Sequence, residues 1–204
     1  MAEKFDWKKK YKDLYFPNSE VCEVLVPAMN YLMINGAGDP NSSPEFQTAV
    51  EALYTLSYTI KFNIKNSGGT EYSVFPLEGL WWAPDMKAFS EDNNDKSSWL
   101  WTLMIAQPDF VKTEHVEECR KAAIEKKGFP KLKDVRFETY NEGNAAQLMH
   151  VGPYSAEGPN ILRIHKWIKD NGYVIDKKHH EIYISDMRRT APEKLKTVVR
   201  QPFK

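Results

Sequence analysis

The spacing of residues along the chain predicts three helices. The first begins after Ser43, a capping residue, with Pro44 at the first helical position, where its missing N–H costs nothing. Intervals of three and four residues place one set on a common face: Phe46, Val50, Leu53, Ser57 and Ile60. A second helix is predicted over 113–127, with Gly128 as its stop, and a third begins at Pro159 and ends at Asn171-Gly172.

Runs rich in large apolar residues predict the strands. They cover 21–34 (interrupted by Pro27), 72–82, 99–106, 135–140, 145–151, 180–185 and 194–200. Between them, residues 83–98 form a polar stretch that lacks periodicity over 87–98 and therefore indicates a loop. The pattern does not determine the conformation of this loop, although the loop helps to shape any adjoining pocket.

Several signals occur twice in the same order, which predicts an internal repeat. LMING at 32–36 resembles LMHVG at 148–152, and a helix opened by proline follows each. EGLWW at 78–82 parallels EIYIS at 181–185, and TLMIAQPDF at 102–110 parallels TVVRQPF at 197–203. We therefore expect two βαββ halves in one domain over 21–204. The halves span about 21–112 and 129–204, with helix 113–127 between them and residues 1–20 as a lead-in.

This order predicts an α+β fold with pseudo-two-fold symmetry, in which helices cover one face of an antiparallel sheet. Because an apolar sheet face is rarely left bare, we expect the other face to carry a ligand cleft. Strand side chains alternate, so Glu181 and Tyr183 share a face opposite Ile182. The Ile182 face fits under the helices, which assigns Glu181 and Tyr183 to the cleft.

The repeat makes Glu78 the counterpart of Glu181, which predicts two carboxylates near the pseudo-dyad. Trp82 shares the face of Glu78, whereas Trp81 has the other parity and reaches the cleft only through a bulge. Trp101 is either a core residue or part of the cleft floor, and Tyr154 is either a turn residue or part of the rim. These residues, including both glutamates and Tyr183, are the candidate site.

Composition excludes several classes of protein. The chain has 204 residues, with 28 Lys and Arg against 28 Asp and Glu, so bulk charge favours neither direct nucleic-acid binding nor a polybasic membrane contact. The 26 aromatic residues (six Trp, ten Tyr and ten Phe) indicate either an aromatic core or a surface for flat ligands. Two isolated cysteines and the lack of a signal-like start favour a cytoplasmic protein, and no apolar run predicts a membrane span.

Consecutive His179, His180 and Glu181 raise the possibility of a metal site. Neighbouring strand residues point to opposite faces, so these three cannot bind one ion without distortion, and no metal or other cofactor is expected. Taken alone, Glu181 also fits a solvated strand glutamate.

Three stretches resemble the GyrI-like small-molecule-binding domain: DWKKKYKDLY at 6–15, PLEGLWW at 76–82 and, above all, HEIYISD at 180–186. Members place a glutamate at the bottom of an aromatic pocket, with a large residue two positions later, and Glu181 and Tyr183 match those positions. The first two stretches are similar to the stand-alone subgroup without a DNA-binding domain. Some members of that subgroup are cyclopropanoid cyclopropyl hydrolases, which open a strained ring in DNA-alkylating compounds by adding water.

This resemblance implies a detoxifying hydrolase of lipophilic, polycyclic compounds. In that role Glu181 assists the attacking water, Tyr183 or another donor stabilises the developing oxygen charge, and Glu78 and the aromatic residues bind the ligand. Two alternatives remain open, a non-catalytic binder or sensor of cationic aromatic drugs and a module that modulates a partner such as gyrase. The oligomeric state is not indicated.

Overall fold

Within residues 4–84 and 96–204, which the computed structural model describes, the main element is an antiparallel sheet of eight strands. Its strands are β2 (Cys22–Val26), β3 (Met29–Ala37), β5 (Leu77–Trp82), β6 (Leu100–Gln107), β7 (Arg136–Tyr140), β8 (Gly143–Val151), β9 (His179–Tyr183) and β10 (Lys196–Pro202). Two short strands, β1 (Lys4–Phe5) and β4 (Glu71–Tyr72), form a separate parallel pair. The helices are α1 (Trp7–Lys10), α2 (Lys12–Tyr15), α3 (Pro44–Asn66), α4 (Thr113–Lys127) and α5 (Gly158–Asp170).

The strand order, β2-β8-β10-β9-β5-β6-β3-β7, has the symmetry that the repeat predicts. The units β3-α3-β5-β6 and β8-α5-β9-β10 meet where β5 pairs with β9 at the centre of the sheet. The outermost strands are exchanged, because β2 pairs with β8 and β7 pairs with β3. Each half therefore supplies the edge strand of the other half. The predicted α+β class, with helices on one side of an antiparallel sheet, is confirmed.

The three helices predicted from periodicity are confirmed. Ser43 caps α3 by accepting a hydrogen bond from the Phe46 N–H, and Gly128 ends α4 in the left-handed conformation. The run over 21–34 forms two strands, β2 and β3, on either side of Pro27, where the interruption was predicted. The run over 72–82 was predicted as one strand, but only its last part forms β5. Residues 85–95 of the loop predicted over 83–98 lie outside the described residues.

Helices α3 and α5 both pack on the sheet face that carries Glu181. Phe46 of α3 contacts the Trp81 and Trp101 rings, at centroid distances of 6.0 Å and 5.2 Å. Ile164 and Ile168 of α5 pack with strand residues of the same parity, including Leu148 and Val199. The expectation that Ile182 lies beneath the helices is therefore wrong, and any site at Glu181 lies between the helices.

The segment before β2 covers the other face of the sheet. Trp7 stacks on Phe75 with ring centroids 4.9 Å apart, and Tyr15 is 1% exposed. The Arg200 guanidinium donates to the carbonyl oxygen of Leu14 at 2.6 Å, which ties this segment to β10. The predicted lead-in is thus a packed layer, because its aromatic residues cover the face that carries Ile182. No helix of the described residues is long and apolar enough to cross a membrane.

Candidate functional site

Glu181 lies at the centre of β9 in a hydrogen-bonded chain of side chains. The Tyr183 hydroxyl donates to Oε2 of Glu181 at 2.8 Å, and the Trp81 indole N–H donates to the Tyr183 oxygen at 3.2 Å. On the other side, His179 Nε2 lies 3.4 Å from Oε1 of Glu181. A carboxylate is therefore held in one orientation on the helix face of the sheet.

Gly79 makes this arrangement possible because it lies directly opposite Glu181 on β5. A Cβ atom at Gly79 would lie 2.8 Å from Nε1 of Trp81 and 3.3 Å from the Tyr183 hydroxyl. The first distance is too short for any non-bonded contact of this kind, so a larger residue would displace the indole. The glycine in EGLWW thus leaves the space in which the Trp81 and Tyr183 side chains meet.

Aromatic rings surround the carboxylate. Tyr154 packs edge-on against Tyr183 with ring centroids 5.5 Å apart, and Trp99 packs edge-on against Trp81 at 5.8 Å. Trp101 is fully buried beside Trp81 on the neighbouring strand. These contacts give the Glu181 carboxylate a largely apolar surrounding.

Glu157, immediately before α5, adds a second carboxyl group to the site. Burial and the adjacent negative charge of Glu181 both raise the pKa of Glu157 well above its usual value. Burial acts in the same direction on Glu181, but its contacts with His179, Tyr183 and Glu157 outweigh burial and lower the pKa of Glu181. The two shifts have opposite signs, and they favour ionisation of Glu181 over ionisation of Glu157.

Glu78 belongs to a different cluster, on the face covered by α1 and α2. It pairs across the strands with Ile182, so it points away from Glu181. Its carboxylate accepts from the Tyr15 hydroxyl at 2.8 Å and lies 3.0 Å from His180 Nε2. The sequence-based equivalence of Glu78 with Glu181 is wrong, because the observed register places the two residues on opposite faces.

The same buried cluster contains Glu142, which contacts two cationic groups. His180 Nδ1 lies 2.8 Å from its Oε1, and the Arg200 guanidinium donates to its Oε2 at 3.0 Å. Burial alone would raise the pKa of Glu142, but His180 and Arg200 reverse the effect and lower it to about 2. Hydrogen bonds and charges from the glutamates likewise outweigh burial and raise the pKa of His180.

The structure brings together four of the predicted site residues, namely Glu181, Tyr183, Trp81 and Tyr154, with Trp101 beneath them. Trp82 lies with Glu78 on the other face, where the Lys178 ammonium is 3.1 Å from its ring centroid. The expectation that Trp82 shares the face of Glu181 is therefore wrong, because its parity rested on the mistaken pairing of the glutamates, and Trp81 reaches that face without a bulge.

Sequence reasoning missed Glu157 and His179 as site residues. Strand parity could have found His179, since it lies two positions before Glu181 and shares its face. No pattern marks Glu157, because its position depends on how α5 packs against β8 and β10. His180 lies on the opposite face, as alternation predicts. The three consecutive residues His179, His180 and Glu181 therefore do not meet at one site.

An open groove of about 740 Å³ lies elsewhere, beside α1, α2 and β2. Its lining is mixed and includes Lys10, Asp13, Phe16, Cys22 and Gln147. We call the following residues the Glu181 cluster: Glu181, Tyr183, Trp81, Tyr154, Trp101, Glu157 and His179. The groove contains none of them, and we assign it no role in the candidate chemistry.

Comparison with a protein-family model gives a match to the GyrI-like small molecule binding domain over residues 19–204. The chain therefore belongs to the GyrI-like family, and the resemblance inferred from the sequence is confirmed. No match was found among curated proteins.

Solved structures from Listeria innocua cover nearly the whole chain. An uncharacterized conserved protein is 39% identical, with a TM-score of 0.91, and the match covers 98% of this chain and all of that one. Two structures described as hydrolases are 37% and 38% identical, with TM-scores of 0.86 and 0.89. Those matches cover 98% and 99% of this chain and all of each hydrolase.

A more distant likeness extends to EcmrR, which another solved structure describes in a complex with DNA. The EcmrR C-terminal domain is 14% identical with a TM-score of 0.54, and the match covers 94% of this chain and 98% of that domain. At this identity the likeness concerns the fold alone.

Proposed function

We propose that this protein binds lipophilic, polycyclic small molecules at the Glu181 cluster and hydrolyses the cyclopropyl ring of DNA-alkylating members of that class. The observation that carries the proposal is the Glu181 carboxylate, oriented by Tyr183 and Trp81 among aromatic rings. The names of the two Listeria hydrolases, at 37% and 38% identity, support an enzymatic role over a purely binding one.

The reaction suits a site that offers one oriented base. In a spirocyclopropyl dienone, water adds to the ring methylene carbon while the ring C–C bond breaks and its electrons move to the carbonyl oxygen. Ring opening restores an aromatic phenol, so the substrate is already activated. Glu181 accepts the proton that the attacking water loses, a form of help that contributes typically about 10²–10⁴-fold.

The aromatic residues supply binding and positioning. Trp81 and Tyr154 flank the carboxylate and stack on a flat ring system, and each such contact contributes about 0.5–1.5 kcal/mol beyond area burial. Since the Tyr183 hydroxyl already donates to Glu181, we assign Tyr183 the positioning of that carboxylate. The resulting specificity is for shape and flatness, with no nucleic-acid ligand involved.

A cytoplasmic location forms part of the proposal. Cys22 and Cys119 are both free thiols, as is usual in a reducing compartment.

The test compares wild-type protein with Glu181→Gln, which keeps the shape of the side chain and removes its basicity. With a cyclopropane-containing alkylator of the duocarmycin type, dienone absorbance and product mass report ring opening. We expect the variant to lose at least about 100-fold in kcat while its ligand affinity stays within several-fold. Glu193→Gln, at an exposed glutamate, is the matched control and should leave both unchanged.

Normal turnover by Glu181→Gln would refute the role of Glu181. Stoichiometric binding by the wild-type protein with no ring-opened product would refute hydrolysis and favour the non-catalytic binder.

A further inference from the structure

Glu157 is a buried carboxyl group without a charge partner among the described residues. It is 3% exposed, and its Oε1 has no hydrogen-bond partner in residues 4–84 and 96–204. Glu157 directly precedes α5, but its side chain makes no capping hydrogen bond to the helix. The N-terminus of α5 therefore does not compensate a negative charge on Glu157. Burial of an uncompensated charge is costly, and a carboxyl group in this position responds by retaining its proton.

Glu142 provides a contrast within the same chain. It is as buried as Glu157, at 2% exposure, but the Arg200 guanidinium and His180 lie within 3.0 Å of its oxygens. Glu157 has another carboxyl group, Glu181, as its charged neighbour instead. Although the Glu181 side chain is 16% exposed, two adjacent carboxyl groups in a largely apolar surrounding cannot both ionise readily, so one proton remains on the pair.

The surroundings decide which member of the pair holds that proton. Glu181 accepts the Tyr183 hydroxyl hydrogen bond at 2.8 Å and lies 3.4 Å from His179, and both contacts favour its ionised form. Around Glu157, burial and the charge of Glu181 outweigh the contact with Thr197, which favours the ionised form. The other titratable groups that interact with Glu157 are the Tyr183 and Tyr154 phenols, which are neutral near pH 7. The proton therefore rests on Glu157.

We propose that Glu157 is the proton donor of this site and that it shares a single proton with Glu181, which acts as the base. This inference rests on the proposed hydrolysis for its catalytic part, whereas the shared proton is a property of the ligand-free protein. It gives the two neighbouring glutamates separate tasks, since Glu157 donates a proton and Glu181 accepts one.

The proton balance closes over one turnover. Water adds to the ring methylene carbon and passes a proton to Glu181, while the ring C–C bond breaks and its electrons reach the dienone oxygen. Glu157 gives its proton to that oxygen, which leaves as a phenol. The proton on Glu181 then passes to ionised Glu157, which restores the starting state without any further reactant.

The first experiment needs no substrate. Infrared difference spectra of the ligand-free protein, recorded as pH is varied, should show a protonated-carboxyl C=O stretch at neutral pH that disappears in alkali. Glu157→Gln should remove this band, and the exposed control Glu193→Gln should keep it. If the wild-type protein shows no such band at neutral pH, or if the band persists in Glu157→Gln, the shared proton is refuted.

The second experiment uses the duocarmycin-type alkylator and follows kcat against pH. The wild-type kcat should fall as pH rises through the pKa of Glu157, because the donor is then ionised. Glu157→Gln should lower kcat by about 100-fold or more and abolish this alkaline fall, while its affinity for the ring-opened phenol changes little. A Glu157→Gln variant with the wild-type rate and pH profile would refute the donor role.

Failure of hydrolysis itself gives a different result. If the wild-type protein never opens the ring, the catalytic role of Glu157 is refuted together with the proposed function. The infrared band still decides whether the pair shares a proton.

Discussion

Replacement of Glu142 by glutamine tests whether the charge cluster beneath α1 and α2 stabilises the fold. Glu142 is fully buried, with His180 Nδ1 at 2.8 Å and the Arg200 guanidinium at 3.0 Å. Glutamine keeps the volume but removes the carboxylate that pairs with Arg200 and leaves His180 with Glu78 alone. Removal of one member of a buried ion pair typically costs about 3–5 kcal/mol, because the other member stays buried and uncompensated.

The pKa of Glu142 leads independently to a similar magnitude. It falls from an ordinary value of 4.5 to about 2. At about 1.4 kcal/mol per pKa unit, the ionised group contributes roughly 3 kcal/mol to the free energy of unfolding. Because the folded-state pKa is lowered, this contribution is present above pH 4.5 and is lost as pH falls towards 2.

His180 contributes with the opposite sign. Its pKa is raised in the folded protein, so its contribution is complete below its ordinary pKa of 6.5 and is lost as pH rises through the folded-state value. The Glu142 contribution is therefore best isolated on the acid side, where His180 is protonated in both states.

The assay is chemical denaturation of the wild-type and Glu142→Gln proteins at pH 7, 5 and 3. We expect the variant to be less stable by about 3–5 kcal/mol at pH 7 and the difference to shrink at pH 3. Glu138→Gln is the matched control, because Glu138 also accepts from an arginine, Arg136, at 2.9 Å but is half exposed. The control should lose less than about 1 kcal/mol. Equal losses in the two variants would refute the argument from burial.

Three further substitutions test the packing and the faces of the sheet. Gly36→Ala should lower the free energy of unfolding by about 1–3 kcal/mol, because the new Cβ would lie 2.0 Å from the Trp101 ring. Thermal or chemical denaturation measures this loss. A variant as stable as the wild-type protein would show that the Trp101 ring moves freely. Trp81→Ala should weaken binding of a flat aromatic ligand at least tenfold by fluorescence titration, whereas Trp82→Ala, on the opposite face, should change it less than about twofold. Equal effects of the two would contradict the assignment of the faces.

Local sequence signals were sufficient to predict where the helices begin and end. Ser43 and Pro44 predict the beginning of α3, and Gly128 predicts the end of α4, because caps and stops depend on the backbone of a few neighbouring residues. The repeated order of elements also predicts the two halves of the sheet. Neither signal indicates that β2 and β7 exchange partners, since pairing between distant strands depends on contacts far apart in sequence.

The candidate site was predictable in part. Alternation along β9 correctly places Glu181 and Tyr183 on one face, and family resemblance singles out the same two residues. Alternation along β5 is equally regular, but the register between β5 and β9 pairs Glu78 with Ile182. A shift of one position moves every side chain to the other face, which is why the repeat alignment misassigned Glu78 and Trp82.

The sequence by itself determined the secondary structure, the repeated order and the alternation of side chains within each strand. These properties follow from short-range backbone geometry. Only the tertiary structure decided that α3 and α5 enclose the Glu181 face, that the segment before β2 covers the other face, and that Glu157 lies beside Glu181. The physical reason is that burial, and with it the protonation of a carboxyl group, depends on which distant elements pack together.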